Sequence, residues 1–284
     1  MTLSYPAKLL LFGEYAVIAG GEGLAVPYYE YNTVWVSGSG NKEQLYDLRP
    51  FYNYLNSNTE LKNILKLDRF DADLKNNYFL RSNIPVGAGL GSSGSVVAAI
   101  YDKYAVNNIA RNKDPDLILL RSQLGQMENF YHEKSSGLDP LVILLNQPLH
   151  LLPEGKLMTI ENEIPLLKEI GLNLFNTEID RKASTLITIF NDKMKDKVFQ
   201  NTIYNKYLPL VSTCISSLLE NNRTDFFDNL HRLSVFQLEH FAFAIPESIR
   251  PRWAIGLRTE QEIFKLCGAG GGGYMFCFNA QSTQ

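Results

Sequence analysis

Apolar positions along this chain fall into two spacings: short continuous or alternating runs that read as strands, and longer i, i+3, i+4 patterns that read as helices. The segment Ala7-Lys8-Leu9-Leu10-Leu11-Phe12 begins as a buried strand and breaks at Gly13, among polar neighbours that lead on to Val17. Tyr31 to Ser37 mixes β-branched with aromatic residues and ends in the turn-rich Gly38-Ser39-Gly40-Asn41, so the two runs are predicted to pair. Residues 55–70 are polar with scattered Leu and Ile, which predicts a surface helix and loop before the strand that feeds a glycine-rich stretch. Helices are predicted over 92–107 and 115–134, the second opened by Asp114-Pro115 as N-cap and first helical residue. After Asp139 come short strands, with turns at Asn146-Gln147-Pro148 and Pro153-Glu154-Gly155, then the stretch Gly171 to Thr177. Helical spacing returns over 183–198, 206–221 and 224–240, with a last helix over 247–265. The glycine-rich Gly268-Ala269-Gly270-Gly271-Gly272-Gly273 then opens a final strand, Tyr274 to Phe278. The change from mixed to helix-rich pattern predicts an α+β protein with a boundary near residue 180, dividing 1–180 from 181–284.

Composition narrows the function classes. A chain of 284 residues has ample core for one large or two ordinary domains. Its 27 Lys and Arg against 30 Asp and Glu give a net charge of -3 with no basic block, which offers nucleic acid no electrostatic footing. Apolar runs stop short of the ~18 to 20 residues needed to span a bilayer, so a soluble protein without a membrane anchor is expected. Three cysteines, Cys214, Cys267 and Cys277, are an odd number in a sequence with no secretory signal, which points to a reducing, cytoplasmic setting.

The chemistry concentrates in Ile84-Pro85-Val86-Gly87-Ala88-Gly89-Leu90-Gly91-Ser92-Ser93-Gly94-Ser95, which runs into the apolar Val96 to Ile100. Glycines allow close backbone approach to an anion, and the helix that follows presents unpaired N–H groups and the positive end of its dipole. The stretch therefore reads as a phosphate cradle, with Ser92 and Ser93 able to reach a phosphate oxygen or a magnesium ion. It lacks the Lys of a G-x-x-x-x-G-K-[ST] loop, which argues for phosphoryl transfer of another design. Gly89 to Gly94 and Gly268 to Gly273 also match G-x-G-x-x-G. A dinucleotide-binding fold, however, needs an acid ending a second strand, and Asp114 stands instead at a helix start. Taken singly, Lys8 reads as a strand-end surface lysine, Asp139 as a turn residue before Pro140, and Glu128 as a solvated helix residue. Glu128 and His132 have the spacing of one helical face. His150, His231 and His240 read as structural, and the Leu and Phe stripes over 206–243 as core or subunit contact.

Three segments in order, Pro6 to Val17, Pro85 to Ser95 and Gly268 to Tyr274, resemble the GHMP kinase superfamily, the small-molecule kinases that include galactokinase, homoserine kinase, mevalonate kinase and phosphomevalonate kinase. Within it, Glu128-Asn129-Phe130-Tyr131-His132-Glu133-Lys134-Ser135-Ser136-Gly137-Leu138-Asp139 is most similar to the mevalonate kinases. The resemblance implies a two-domain fold, N-terminally like ribosomal protein S5 domain 2 and C-terminally a ferredoxin-like α/β sandwich. It also implies ATP- and Mg²⁺-dependent transfer to the hydroxyl of a small metabolite, mevalonate or a similar hydroxy acid. By the same resemblance Asp139 would be the base or orienting carboxylate with Lys8 beside it. An adjacent ammonium favours the ionised carboxylate and polarises the acceptor oxygen. Gly87, Ala88, Gly89, Leu90, Gly91, Ser92, Ser93, Gly94 and Ser95 would hold ATP, and Ser93 and Glu128 would ligate Mg²⁺. Glu14, Tyr15, His132, Ser136, Gly270 and Gly271 would face the acceptor. The chain departs from the mevalonate kinase pattern at Tyr15, where His is usual, at Lys134-Ser135 for Asn-Pro, and at Thr185, where an Arg is usual. All three lie on the acceptor side. Another activity of the superfamily, such as phosphomevalonate, homoserine or sugar kinase, and a binder without turnover stay open, as does a homodimer.

Overall fold

The computed structural model describes residues 3–38, 46–179 and 183–279. The expected boundary at residue 180 and the turn residues Ser39, Gly40 and Asn41 lie outside them. The chain forms two compact units: one takes the N-terminus to Leu9, Val26–Val86 and Leu90–Pro148, the other Leu10–Ala25, Gly87–Gly89 and the chain from Leu149 on.

In the first unit, strand β1 (Ser4–Phe12) contributes its N-terminal part and β2 (Gly23–Ser37) its C-terminal part. The latter pairs antiparallel with β3 (Tyr78–Ser82), Thr33 opposite Ser82. Between them residues 49–75 form three short helices, α1 (Arg49–Ser57), α2 (Thr59–Ile64) and α3 (Leu67–Lys75), not the single surface helix and loop expected. Asn58 makes the break: its side chain accepts from the N–H groups of Glu60 and Leu61 and so starts α2 anew. Phe51, Leu55, Leu61 and Phe70 are buried, so these helices are part of the core.

Helix α4 (Ser92–Tyr104) is buried along almost its whole length and packs on α5 (Leu117–Glu128) and α6 (Leu138–Leu145). Its small residues Gly94, Ser95, Ala98 and Ala99 permit that close packing. The start and end of α5 differ from expectation. Asp116, not Asp114, caps it by accepting from Leu119 N–H at 2.9 Å, and the helix stops at Glu128 instead of 134. Helix α6 stands where short strands were expected after Asp139.

The second unit pairs β4 (Leu149–Leu151) with residues 23–25 of β2 and with β5 (Leu157–Thr159), both antiparallel. Helix α7 (Pro165–Glu169) leads to a separate antiparallel sheet in the order β6-β8-β7, made of Leu172–Asn176, Tyr274–Asn279 and Glu262–Leu266. Helices α11 (Arg223–His240) and α12 (Arg250–Thr259) pack on β7, and α10 (Leu208–Leu219) packs on α11. The Leu and Phe stripes form the core here, through Leu218, Phe226, Leu230, Leu233 and Phe236. The segment expected as a helix over 183–198 divides into α8 (Ala183–Lys193) and α9 (Lys197–Thr202), because Asp196 caps the second. The helix expected over 247–265 ends at Thr259. Glu260 turns left-handed at φ 57°, and Ile263-Phe264-Lys265-Leu266 continue as a buried strand.

The last glycine stretch thus joins two antiparallel strands instead of a strand and a helix, and β3, which precedes the first stretch, pairs antiparallel with β2. Neither matches the strand–turn–helix of a parallel dinucleotide-binding sheet. The three cysteines are buried and form no disulfide among the described residues, and burial pushes the Cys214 thiol up to about 12 and the Cys277 thiol to about 11, which leaves neither of these two as a nucleophile near neutral pH. No helix among the described residues is long and apolar enough to cross a membrane.

Candidate active site

In the first unit β1, α4, α5 and α6 bring four of the expected residues together. Lys8 lies on β1, its backbone N–H donating to the carbonyl of Leu90 at 3.0 Å, which ties the strand to the glycine-rich stretch. Its Nζ stands 2.9 Å from Asp139 Oδ1, so Lys8 is not the surface lysine that it suggests when read alone. Asp139 occupies the first turn of α6, where the helix dipole favours a negative charge. The approach of α4 to this carboxylate depends on Gly94, because a Cβ there would come within 2.9 Å of Pro140 N and 3.0 Å of Asp139 Cβ. At Gly91, φ is +80° and a Cβ would press on the Lys8 stem at 3.0 Å.

Glu128, the last residue of α5, is buried with each carboxylate oxygen taking one hydroxyl. Ser93 Oγ donates to Oε1 at 2.9 Å and Ser135 Oγ to Oε2 at 2.5 Å. Burial holds the Glu128 carboxyl above its ordinary range and the negative charge of Asp139 adds to this, while the two serine hydrogen bonds and His132 pull the other way. His132 Nε2 lies 3.1 Å from Ser93 Oγ. Glu128 and His132 therefore meet through Ser93 and not along one helical face, since the helix ends between them.

This donor set suits a hard cation. Glu128 and Ser93 offer oxygen ligands, and a positive charge between Glu128 and Asp139 would relieve the repulsion that now favours a proton on Glu128. Among the described residues no group of three or more His, Cys, Asp and Glu forms a metal cluster. Two protein oxygens of this kind match the needs of a cation such as Mg²⁺, which retains waters and shares nucleotide phosphates.

The other expected nucleotide-side residues take varied positions. Gly87 and Gly89 have φ of 76° and 80°, and with Ala88 they belong to the second unit. Leu90 is fully enclosed. Ser92 opens α4, whose first N–H groups, like those of any helix, have no partner within it. Ser95 turns inward, its hydroxyl 2.7 Å from Thr33 Oγ1 and donating to Ser92 O at 2.8 Å, so its side chain serves packing. Ser136 forms a local turn, its hydroxyl accepting from Leu138 N–H at 3.3 Å; its neighbour Ser135, absent from the expected set, touches Glu128.

In the second unit Glu14 and Tyr15 follow β1. The Glu14 carboxylate is sealed from solvent and paired with Lys265 of β7. Burial raises its carboxyl against the pull of that ammonium. The Tyr15 ring packs on Phe190, Phe241 and Phe243, with centroids 4.7, 5.1 and 5.7 Å away, and its hydroxyl donates to the carbonyl of Ala269 at 2.6 Å. Gly271 N–H donates to Ala244 O at 2.7 Å, and a Cβ on Gly270 would strike that same oxygen. Thr185, in α8, is exposed. Lys265 was missed by sequence reasoning; its signal was a lone charge inside the apolar run Ile263 to Leu266.

Residues 58–147 match the family described as GHMP kinases N terminal domain. Over 99% of this chain and 88% of its own length, a mevalonate kinase from Dictyostelium discoideum is 24% identical. The fold is shared with L. major mevalonate kinase in complex with R-mevalonate, at TM-score 0.66 and 17% identity over 99% of this chain and 88% of that one. It is shared too with Streptococcus pneumoniae phosphomevalonate kinase in complex with phosphomevalonate and AMPPNP, at TM-score 0.62 and 14% identity over 99% and 93%. By its matched domain and its fold the chain is similar to the GHMP small-molecule kinases. Within that class its likeness is to the mevalonate kinases.

Proposed function

We propose that the protein transfers the γ-phosphoryl group of ATP to the hydroxyl of mevalonate or a similar hydroxy acid, with Mg²⁺ as cofactor. The observation that carries this reading is the 2.9 Å Lys8–Asp139 pair, set against the glycine-rich start of α4 by residues too small to keep them apart.

Phosphoryl transfer of this kind asks the protein for position and charge more than for covalent chemistry. Asp139 accepts or orients the proton of the acceptor hydroxyl. Lys8 stabilises charge on the acceptor and transferred oxygens. The segment from Gly87 to Ser95 receives the triphosphate through backbone N–H groups at the start of α4, with Ser95 contributing its backbone only. Glu128 and Ser93 would hold Mg²⁺, which when bound neutralises phosphate charge. His132, through Ser93, and Ser136, in the turn before Asp139, lie on the acceptor side. Of the residues that the resemblance puts on the acceptor side, Glu14 has its carboxylate sealed and Tyr15 is buried, so these two act by position, beside Gly270 and Gly271 in the second unit. The choice of a mevalonate-like acceptor rests on the likeness of residues 128–139 to that branch, from whose pattern the chain departs at Tyr15 and Thr185.

The test is ADP release with ATP and Mg²⁺ across mevalonate, phosphomevalonate, homoserine and galactose, with Asp139→Asn as control. Saturable turnover on one acceptor is expected, falling at least ~10²-fold in kcat in the variant while ATP affinity stays nearly constant. ATP binding without turnover on any acceptor would replace this reading with that of a binder.

A further inference from the structure

We infer that Lys265, Glu14 and Tyr15 form a positioning device that fixes the glycine loop Gly268 to Gly273, with Lys265–Glu14 as its anchor and the Tyr15 hydroxyl as its clamp. The inference deepens the proposed kinase reading and rests on it for the loop's role in turnover.

The anchor is an unusual use of charge. Both side chains have no exposure, Glu14 Oε2 meets no hydrogen-bond partner among the described residues, and Lys265 Nζ spends a second donor on the carbonyl of Leu266. The rings of Phe12 and Phe276 stand 5.2 and 4.8 Å from that ammonium. An incompletely satisfied buried pair is a poor source of stability compared with apolar side chains of similar volume. What it does supply is a fixed distance between the turn after β1 and the end of β7, where the glycine loop begins.

Four further bonds secure that fixed point and the loop. Tyr207 donates its hydroxyl to Glu14 O at 2.5 Å, which secures the turn from behind. Tyr15, at φ 59°, donates to Ala269 O, the one carbonyl of the loop that belongs to a residue other than glycine. Gly271 and Gly273 give their N–H groups to Ala244 O and Ile179 O, each at 2.7 Å. Glycine is the costliest residue to order, so a loop with five of them needs external restraint to keep one conformation, and the Tyr15 hydroxyl together with these backbone bonds provides it. Lys265 and Glu14 thereby act through the loop and have no need to touch a substrate.

Hydrogen exchange on the full chain, combined with steady-state kinetics, tests this in two variants. Tyr15→Phe keeps the ring packing and removes only the clamp; Glu14→Leu with Lys265→Met removes the anchor without leaving a buried charge. Expected in each is amide exchange at Gly271 and Gly273 faster by at least ~10-fold with α4 unchanged. The kinetics should show a kcat/KM for the acceptor reduced about 10-fold, a constant KM for ATP, and a melting temperature within a few degrees of wild type. Wild-type exchange in the loop of both variants would overturn the inference, as would faster exchange with unaltered acceptor kinetics in an active enzyme. If wild-type protein turns over no acceptor, the kinase reading fails, and the exchange result alone decides whether the residues fix the loop.

Discussion

Two lysine–carboxylate pairs in this chain have the same chemistry and different surroundings. Lys8 and Asp139 sit in the first unit with side-chain exposures of 9% and 31%, whereas Lys265 and Glu14 in the second have none. A carboxylate partly open to solvent at a helix start can exchange its partner for a ligand. A sealed pair cannot, and its contribution is geometric. The contrast shows why an ion pair must be read with its exposure and its remaining hydrogen-bond capacity before it is given a chemical role.

Removing one lysine from each pair should separate the two cases most widely. Lys265→Met leaves Glu14 buried without its ammonium, so Glu14 takes up a proton and the protein loses about 3–5 kcal/mol in urea denaturation. A loss below 1 kcal/mol would mean that the pair is not sealed. A smaller effect is expected on the first unit's side: Gly94→Ala puts a methyl group against Asp139 and Pro140 and should cost about 1–3 kcal/mol by overpacking. Turnover should fall with it, because Asp139 is displaced, while loop exchange in the second unit stays constant. Full activity in this variant would show that α6 yields at little cost and that the close approach is incidental.

The smallest effect sharpens the comparison through pH. Folding raises the Glu128 carboxyl above its ordinary 4.5, so above that pH the native state binds more protons than the unfolded chain. Stability contributed by the protonated group is therefore complete below the unfolded value and is lost as pH rises through the folded one. In the absence of Mg²⁺, wild-type melting temperature should fall over that window relative to Glu128→Gln, and Mg²⁺ should restore it in the wild type alone. Parallel pH profiles for the two proteins would show that burial and the charge of Asp139 do not raise the Glu128 carboxyl. In the same variant, activity should require a higher Mg²⁺ concentration.

Much of this arrangement was legible in the order of short motifs, and what was not has physical causes. Lys8, Ser93, Glu128 and Asp139 were singled out and the fold brings them together. The route differs: Glu128 and His132 meet at Ser93 because α5 ends at Glu128. Helix α6 was hidden because Leu138–Leu145 is apolar at nearly every position, and a fully buried helix carries no 3.6-residue periodicity. The strand Glu262–Leu266 merged with the helical pattern before it for a similar reason, being short, buried and separated only by a left-handed turn at Glu260. Ser135 and Lys265 were passed over because their partners, Glu128 and Glu14, are set by tertiary packing. For Glu14 and Lys265 the separation is 251 residues, beyond any local pattern.

The most direct test of the contrast between the pairs is Mg²⁺-dependent ADP release by Lys8→Met, with melting temperature taken on the same preparation. The account expects turnover to fall at least ~10²-fold while melting changes by only a few degrees, because Asp139 regains water when its partner is lost. Wild-type turnover in a folded Lys8→Met protein would contradict it, and the open pair would then be as structural as the sealed one.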